Sequence, residues 1–243
     1  MSSIFDAARD GDCARLRALL AEGQDVNAPS NLYGRTPLHF AADNGRADAV
    51  ALLLENGADT GLRATGFGSA GYTPLHSAAS SVHPHCIALL LAAGSDANAK
   101  TTNGSYTPLL MVNRGGAAER KQIACAQLLI QAGARVDDAN EYGDTPIWAY
   151  VRKGRRNLAK LLLRAGAVIP NHWPTGFSYI DWEHSESARR LVDQVKARGG
   201  WREHARAHKR VLVGLVAKCA GKPHFPDDAA GLVVEFYCPV GGS

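Results

Sequence analysis

The sequence predicts an all-α fold, a solenoid of stacked helix pairs, and three regularities indicate it. A Thr-Pro dipeptide recurs along the chain, beginning at Thr36, Thr73, Thr107 and Thr145. A leucine-rich triplet follows each dipeptide, and a glycine follows each triplet, at Gly57, Gly94, Gly133 and Gly166. Threonine caps a helix, proline suits the first helical position, and glycine ends a helix with a positive φ. Two helices this short cannot bury their apolar faces alone, so successive copies must stack.

The first unit, residues 4–28, follows the same plan without the Thr-Pro dipeptide. Its Ala7-Ala8 pair matches the alanine pair in the first helix of the second unit. We expect this unit to be a terminal cap with a polar outer face. The sequence therefore predicts an N-terminal domain, residues 1–170, of five units at about 2–30, 33–66, 71–101, 105–139 and 142–170.

Two regions are longer than the pattern requires. The fourth unit has about five extra residues between its helices, around residues 115–119, because its leucine triplet lies further from Thr107. About three or four extra residues lengthen the loop after the second unit, within residues 60–72. That loop carries Phe67, which we expect to contact a partner. The alternative is neutral loop drift, since loops accept insertions at small free-energy cost.

The tetrapeptide TPLH occurs intact at residues 36–39 and 73–76, two residues after Gly34 and Gly71 respectively. With this motif, its helix lengths and its period, the chain resembles an ankyrin-repeat protein over about residues 2–170. The resemblance implies repeats of β-hairpin loop, helix, turn and antiparallel helix, stacked into a curved solenoid. It also implies that the chain binds a protein partner and does not catalyse a reaction.

The chain departs from the family pattern in its last two repeats. Leu110 and Trp148 replace the histidine of TPLH, and Ser105 replaces a loop glycine. In the family, this histidine bonds to the threonine hydroxyl and to the backbone of a neighbouring repeat. We therefore expect weaker polar contacts at the C-terminal end of the stack, with burial of Trp148 as compensation.

The ankyrin pattern also implies which side chains face a partner. They are the residues before each Thr-Pro, those after the histidine position, and those one turn further along. Aromatic, methionine and arginine side chains anchor protein interfaces well. With Phe67 at a loop tip, the predicted partner-binding residues are Arg35, Phe40, Asp43, Tyr72, Ser77, Tyr106, Met111, Arg114, Asp144 and Arg152.

Residues 171–243 are predicted to form a small helical region, in which an aromatic-rich segment at 171–184 covers the last repeat. Residues 224–239 resemble the opening helix of an F-box, although Phe225 stands where that motif has leucine. This resemblance implies a substrate adaptor that recruits cullin-type ubiquitin-ligase subunits. The alternative is a plain cap, which would bury the apolar face that an adaptor exposes. The adaptor-helix residues are Pro226, Leu232, Val233 and Phe236.

Composition narrows the class of protein further. An apolar content of 46% and a charged content of 21% favour a folded chain over a disordered one. The cysteines are five in number and form no Cys-x-x-Cys pair, which favours reduced thiols in the cytoplasm or nucleus. The sequence contains no signal-peptide core and no long apolar run, so we expect no membrane contact.

Other kinds of site find little support in the sequence. No Gly-x-Ser-x-Gly, His-Glu-x-x-His or phosphate-loop motif occurs, so we expect neither enzymatic activity nor a cofactor. His204 and His208 lie four residues apart, but a structural zinc site needs a second ligand pair. Residues 152–222 carry 16 Lys/Arg and 5 Asp/Glu, yet they match no nucleic-acid-binding module. We therefore favour a monomeric, protein-binding stack.

Overall fold

The computed structural model describes residues 3–30, 33–66, 69–113 and 118–168, and residue 197 alone after them. Within these ranges, ten helices form five consecutive pairs, as the repeat pattern predicts. The helices are α1 (Ile4–Asp10), α2 (Cys13–Ala21), α3 (Pro37–Asp43), α4 (Ala47–Glu55), α5 (Pro74–Ser80), α6 (Pro84–Ala92), α7 (Pro108–Met111), α8 (Glu119–Gln131), α9 (Pro146–Arg152) and α10 (Arg156–Arg164).

The chain divides into two units, residues 1–188 and 189–243, and all ten helices lie in the first. None of the helices in the described ranges is both long and apolar enough to cross a membrane. The helices and the covering segment predicted for residues 171–243 lie outside the described residues, apart from residue 197. They stay predictions.

The first helix of each pair begins where the sequence predicts. Four of these helices start with the proline of Thr-Pro, and the preceding threonine is extended and occupies the capping position. In α1, Ser3 occupies the capping position in place of threonine. The Ser3 hydroxyl accepts from the Asp6 N–H at 3.2 Å, and the Asp6 carboxylate accepts from the Ser3 N–H at 3.2 Å. This reciprocal capping box explains how the first unit folds without Thr-Pro.

The helix pairs stack in two layers. The first helices contact one another in the order α1, α3, α5, α7 and α9, and the second helices in the order α2, α4, α6, α8 and α10. The core between them contains fully buried leucines and isoleucines from every repeat, such as Leu16, Leu53, Leu90, Leu129 and Leu162. Each such side chain contributes about 1.5–3 kcal/mol through burial.

The loops between repeats double back, as the predicted hairpins require. The Arg35 carbonyl accepts from the Ser30 N–H at 2.9 Å, and the Tyr72 carbonyl accepts from the Ala64 N–H at 2.8 Å. Among the described residues, however, no segment forms a β-strand. The loops are closed by isolated backbone bonds, because the paired segments are too short for a continuous ladder.

The extra residues of the fourth repeat lie partly within a helix. The second helix α8 has 13 residues, whereas α2, α4, α6 and α10 have 9 each. The added turn begins at Glu119, within the stretch predicted to be inserted. The Glu119 carboxylate accepts from the backbone N–H and the side-chain amide of Asn157, at 3.3 and 3.2 Å. It thereby satisfies a free N–H in the first turn of α10.

Two residues other than glycine have a positive φ among the described residues, Val82 at 58° and Ser105 at 50°. Val82 occupies the turn position that Gly45 fills in the second repeat. This backbone conformation is strained for a β-branched side chain, and the burial of Val82 offsets the strain. Ser105 confirms that the loop conformation of a glycine is kept where the sequence has lost the glycine.

Asparagine side chains connect adjacent repeats at the base of the loops. Asn27 donates to the Gly57 carbonyl at 3.4 Å and accepts from the Asp59 N–H at 2.8 Å. Asn98 makes the same two bonds to the fourth repeat, at 3.0 and 2.7 Å. The equivalent residue of the second repeat is Gly61, which has no side chain to form them. The junction between the second and third repeats therefore lacks this connection.

Replacing Gly61 by asparagine is expected to raise the free energy of unfolding by about 1 kcal/mol, because it adds two cross-repeat bonds and removes glycine's entropy in the unfolded chain. The Gly61 N–H already donates to the Asp59 carboxylate at 2.7 Å, as the Asn27 and Asn98 N–H groups do to their aspartates. Urea titration would measure the change. Gly61→Ala is the control, since it alters the entropy alone; equal stability of the two variants would contradict the prediction.

Candidate binding surface

Two buried histidines fix the loop residues that precede Thr-Pro. The Nδ1 atom of His39 accepts from the Thr36 backbone N–H at 3.1 Å, so this ring carries its proton on Nε2. The Nε2–H group donates to the Tyr72 carbonyl of the next repeat at 2.9 Å. His76 repeats this arrangement, with its Nε2 3.0 Å from the Tyr106 carbonyl. The backbone from which each tyrosine projects is therefore held by the preceding repeat.

Both histidines are neutral at physiological pH. Burial lowers the pKa of His39 and of His76 to about 4, and the bonds to the Tyr72 and Tyr106 carbonyls oppose this only in part. Their ring nitrogens are engaged by the threonines and the carbonyls, so they serve structure. Neither histidine presents a ring nitrogen for acid–base chemistry.

Other polar groups join the fourth and fifth repeats, where the histidine is absent. The Tyr150 hydroxyl donates to the Leu109 carbonyl at 2.7 Å, and the Asn113 amide donates to the Ala149 carbonyl at 2.7 Å. Lys153 donates to the Asn113 carbonyl at 2.9 Å. The prediction of weaker polar contacts at the C-terminal end of the stack is therefore corrected, because other side chains supply hydrogen bonds between these repeats. Trp148 is buried at the histidine position, as predicted.

Arg35 lies at the centre of a network that spans two repeats. Its guanidinium donates to the Asp43 carboxylate at 2.8 Å and to the Ser77 hydroxyl at 3.3 Å. The second oxygen of Asp43 accepts from the Ser81 hydroxyl at 2.7 Å. The Arg35 side chain is only 17% exposed, so its direction is set by these partners. The exposed part of the Arg35 guanidinium is therefore held in a single conformation.

Aromatic side chains adjoin this arginine. The Arg35 guanidinium lies over the Phe40 ring, 5.1 Å from its centroid. On the side of the first repeat, Phe5 packs against Phe40 with ring centroids 5.7 Å apart. Both rings are half-buried, so each keeps apolar surface in contact with solvent. The helices α1 and α3 and the loop before α3 thus bring a cation and two aromatic rings together on one surface.

Two of the predicted partner-binding residues are buried instead. Ser77 is 1% exposed and Met111 is 0% exposed. Their position in the repeat is as predicted, but loop residues contact them: Ser77 accepts from the Arg35 guanidinium at 3.3 Å, and the Met111 sulfur lies 3.7 Å from the Tyr72 hydroxyl. The expectation that these side chains line the exposed groove is therefore corrected. Ser77 and Met111 lie beneath the exposed surface and contact the residues that form it.

The remaining predicted residues divide into two groups. Tyr72, Tyr106, Asp144 and Arg152 are half-buried at the loops and the first helices. The Tyr72 hydroxyl lies 3.7 Å from the Met111 sulfur. Phe67, Arg114 and the adaptor-helix residues Pro226, Leu232, Val233 and Phe236 lie outside the described residues.

The most exposed aromatic residues among those described were not predicted. Tyr33 and Tyr142 are 48% and 63% exposed at the tips of the first and fourth loops. Tyr142 packs against Tyr106, with ring centroids 6.5 Å apart. Each of the two exposed tyrosines directly precedes the loop glycine, Gly34 or Gly143. That Tyr-Gly pair in the loop is the sequence signal that could have revealed them.

The described residues contain no group of three or more histidine, cysteine, aspartate or glutamate side chains arranged to hold a metal ion. Cys86 and Cys125 are buried free thiols, and burial raises their pKa to about 11 and about 12. They are therefore protonated and poorly nucleophilic near neutral pH.

Comparisons with known proteins find short, similar segments. A 2-5A-dependent ribonuclease from Mus musculus is 48% identical over 58 residues, which is 24% of this chain and 8% of that protein. A probable E3 ubiquitin-protein ligase, XBOS33 from Oryza sativa subsp. japonica, is 46% identical over 61 residues, 25% of this chain and 12% of that protein. The regulatory protein NPR5 from Arabidopsis thaliana is 46% identical over 57 residues, which is 22% of this chain and 12% of that protein. The chain thus spans about a tenth of these relatives.

Family models agree with the helix pairs. The model for ankyrin repeats in three copies matches residues 4–101, and the model for a single ankyrin repeat matches residues 142–172. The two ranges cover just over half of the chain and leave out the fourth repeat, which has the lengthened α8. Since the Thr-Pro-initiated helices, the histidine bonds between repeats and the matched ranges all agree, this chain belongs to the ankyrin-repeat family.

Proposed function

We propose that this ankyrin stack is a non-catalytic module that binds another protein through its first helices and loop tips. The observation that supports the proposal is the set of interface-forming side chains held on this surface. Arg35, Phe40, Tyr72 and Tyr106 are all partly exposed, and they come from three successive repeats. Arginine and tyrosine, together with tryptophan, are enriched among the anchor residues of protein interfaces.

Preorganisation favours binding at this surface. The salt bridge from Arg35 to Asp43 and the contact with Phe40 hold the arginine before any partner arrives. The histidine bonds hold the backbone at Tyr72 in the same way. Ordering a free side chain at an interface costs about 0.5–1.5 kcal/mol, so fixing it in advance increases affinity.

Replacing Tyr72 by alanine is expected to reduce partner binding about tenfold or more while leaving the protein folded. The Tyr72 ring is partly exposed, whereas the bond from His39 goes to the Tyr72 backbone carbonyl and survives the substitution. Affinity purification from cells with quantitative mass spectrometry would measure the loss of co-purified proteins. Thermal melting of the same variant would show whether folding is intact.

Gln127→Ala is the matched control, because Gln127 is an exposed residue of the second helix α8. We expect the control to retain the partners that Tyr72→Ala loses. Equal recovery of every partner by the two variants would contradict the proposed surface. A melting temperature lowered as strongly as by a core substitution would also contradict it, since Tyr72 would then serve stability.

A second proposal is that the chain is a substrate adaptor for a cullin-type ubiquitin ligase. It is supported by the F-box-like sequence of residues 224–239 and by the presence of E3 ubiquitin-protein ligases among the relatives. The full chain should then co-purify with cullin subunits, and the double variant Val233→Asp/Phe236→Asp should not. Tyr72→Ala should retain the cullin subunits and lose the substrate. Absence of cullin subunits from the unmodified chain would rule out this adaptor function.

A further inference from the structure

The third and fourth loops carry an aromatic pair at their tips. The rings of Tyr106 and Tyr142 have centroids 6.5 Å apart and are inclined by 48°. Tyr142 is 63% exposed, the largest exposure of any aromatic side chain among the described residues. A tyrosine ring offers a negatively polarised face, and that face attracts ammonium and guanidinium groups. The pair is therefore suited to contact a cation.

The two loops are joined so that the aromatic pair is held in place. The Glu141 N–H donates to the Gly104 carbonyl at 3.2 Å, and the Gly104 N–H donates to the Glu141 carboxylate at 2.9 Å. The Tyr106 ring packs so closely on Gly104 that a Cβ atom at this position would clash with the ring. Any other residue in place of this glycine would displace the Tyr106 ring.

The segment that carries Tyr142 is rich in carboxylates. Residues 135–144 contain four carboxylates and a single arginine. Three of the carboxylates have partners: Asp138 pairs with Arg135 and with Lys100, at 2.9 and 3.7 Å, Asp137 accepts from the Val168 N–H, and Glu141 accepts from the Gly104 N–H.

Asp144 is the fourth of these carboxylates, and its side chain has no hydrogen-bond or ionic partner within the described part of the chain. It lies two residues after Tyr142, at the same repeat position as Tyr106. The backbone N–H groups of Tyr142 and Asp144 both donate to the Asn140 side-chain oxygen, at 3.0 and 2.9 Å, so a half-exposed, unpaired carboxylate lies in the same loop turn as Tyr142.

We propose that Tyr106, Tyr142 and Asp144 form a subsite for an arginine or lysine side chain of a partner protein. The cation stacks on the exposed Tyr142 ring, and its N–H groups donate to the Asp144 carboxylate. This inference rests on the proposed function, because it assigns a chemistry to one part of the protein-binding surface. Charge complementarity selects a basic segment: an acidic one would bring like charges beside Asp144 and Glu141.

The subsite can be tested on the full chain with ¹³C-labelled tyrosine rings. The probes are three Gly-Ser peptides of equal length that contain four arginines, four lysines or four glutamates. NMR titration should show that the arginine and lysine peptides shift the Tyr142 ring signals and that the glutamate peptide does not. Tyr142→Phe, which keeps a ring, should retain binding. Tyr142→Ala and Asp144→Asn should each weaken binding of the arginine peptide about threefold to tenfold.

Tyr33→Ala is the matched control, since Tyr33 is also an exposed loop-tip tyrosine but has no such carboxylate two residues later, where Arg35 stands. It should change the affinity less than about twofold. Equal effects of Tyr33→Ala and Tyr142→Ala, or equal binding of the glutamate peptide, would overturn the proposal. Thermal melting of each variant ensures that a loss of affinity does not reflect unfolding.

A further variant tests whether basic residues of this chain, and not those of a partner, bind at the subsite. Binding that appears only after Arg202, Arg206 and Arg210 are changed to glutamate would overturn the partner proposal and assign the subsite to that segment. The absence of binding in every form would overturn it as well. Some proteins should co-purify with the unmodified chain and be lost with Tyr72→Ala. If these proteins still co-purify with Tyr142→Ala and with Asp144→Asn, the subsite proposal is overturned while the proposed function stands.

Discussion

Replacing Leu53 by alanine is expected to lower the free energy of unfolding by about 3–4 kcal/mol. Leu53 is fully buried in α4, which packs on α2, α3 and α6. Its removal leaves a cavity among helices of three repeats, and the rigid stack cannot collapse to fill it. Leu53→Asp should prevent folding altogether, because a buried carboxylate there would have no compensating partner. Urea titration followed by circular dichroism would measure both variants.

Leu54→Ala provides the matched control on the same helix. Leu54 is the next residue along the chain and is only partly buried, so its loss removes fewer contacts. We expect it to cost less than about 1.5 kcal/mol. If both alanine variants lost equal stability, the core would not lie where the structure places it.

Acidification is expected to destabilise the stack by roughly 2 kcal/mol for each of two histidines between pH 7 and pH 5. His39 and His76 are buried and neutral, and their pKa in the folded protein is about 4, against 6.5 in a model peptide. The unfolded chain therefore binds protons first as the pH falls. The stabilisation is fully present above pH 6.5 and is lost progressively down to about pH 4. Chemical denaturation at a series of pH values would measure this slope.

His76→Leu tests the assignment of this slope. Leucine occupies the same position naturally in the fourth repeat, where Leu110 is buried, so the substitution suits the fold. The variant should be less stable at pH 7, because it loses the bond to the Tyr106 carbonyl. Its loss of stability between pH 7 and pH 5 should be smaller than that of the unmodified protein by roughly 2 kcal/mol. An unchanged slope would show that other groups bind the protons.

The fold was predictable because local signals and the repeat period agree. Thr-Pro fixes the start of a helix through cap geometry, and the glycine after each leucine triplet fixes its end. All five helix pairs follow these signals, including the first, where Ser3 and Asp6 replace Thr-Pro. The insertion in the fourth repeat was also located by spacing. The spacing did not predict that the inserted residues would extend α8 by a turn, because this extension depends on the contact of Glu119 with Asn157 in the next repeat.

The binding surface was only partly predictable. The repeat register identifies the residues before Thr-Pro and after the histidine position, and of these Arg35, Phe40 and Tyr72 are partly exposed. Register does not reveal how closely the neighbouring helices pack, and for that reason the burial of Ser77 and Met111 was missed. The pairing of Tyr142 with Tyr106 joins residues of different repeats, so no local pattern indicates it.

The sequence by itself determined that this chain is an ankyrin stack, where the helices that follow Thr-Pro begin, and where the leucine-rich second helices end. These features depend on caps, glycines and apolar spacing, which act within a single repeat. Only the tertiary structure decided which side chains stay exposed and which replace the missing histidines between the fourth and fifth repeats. Those outcomes depend on contacts between repeats, whose geometry is set by the packing of whole helices.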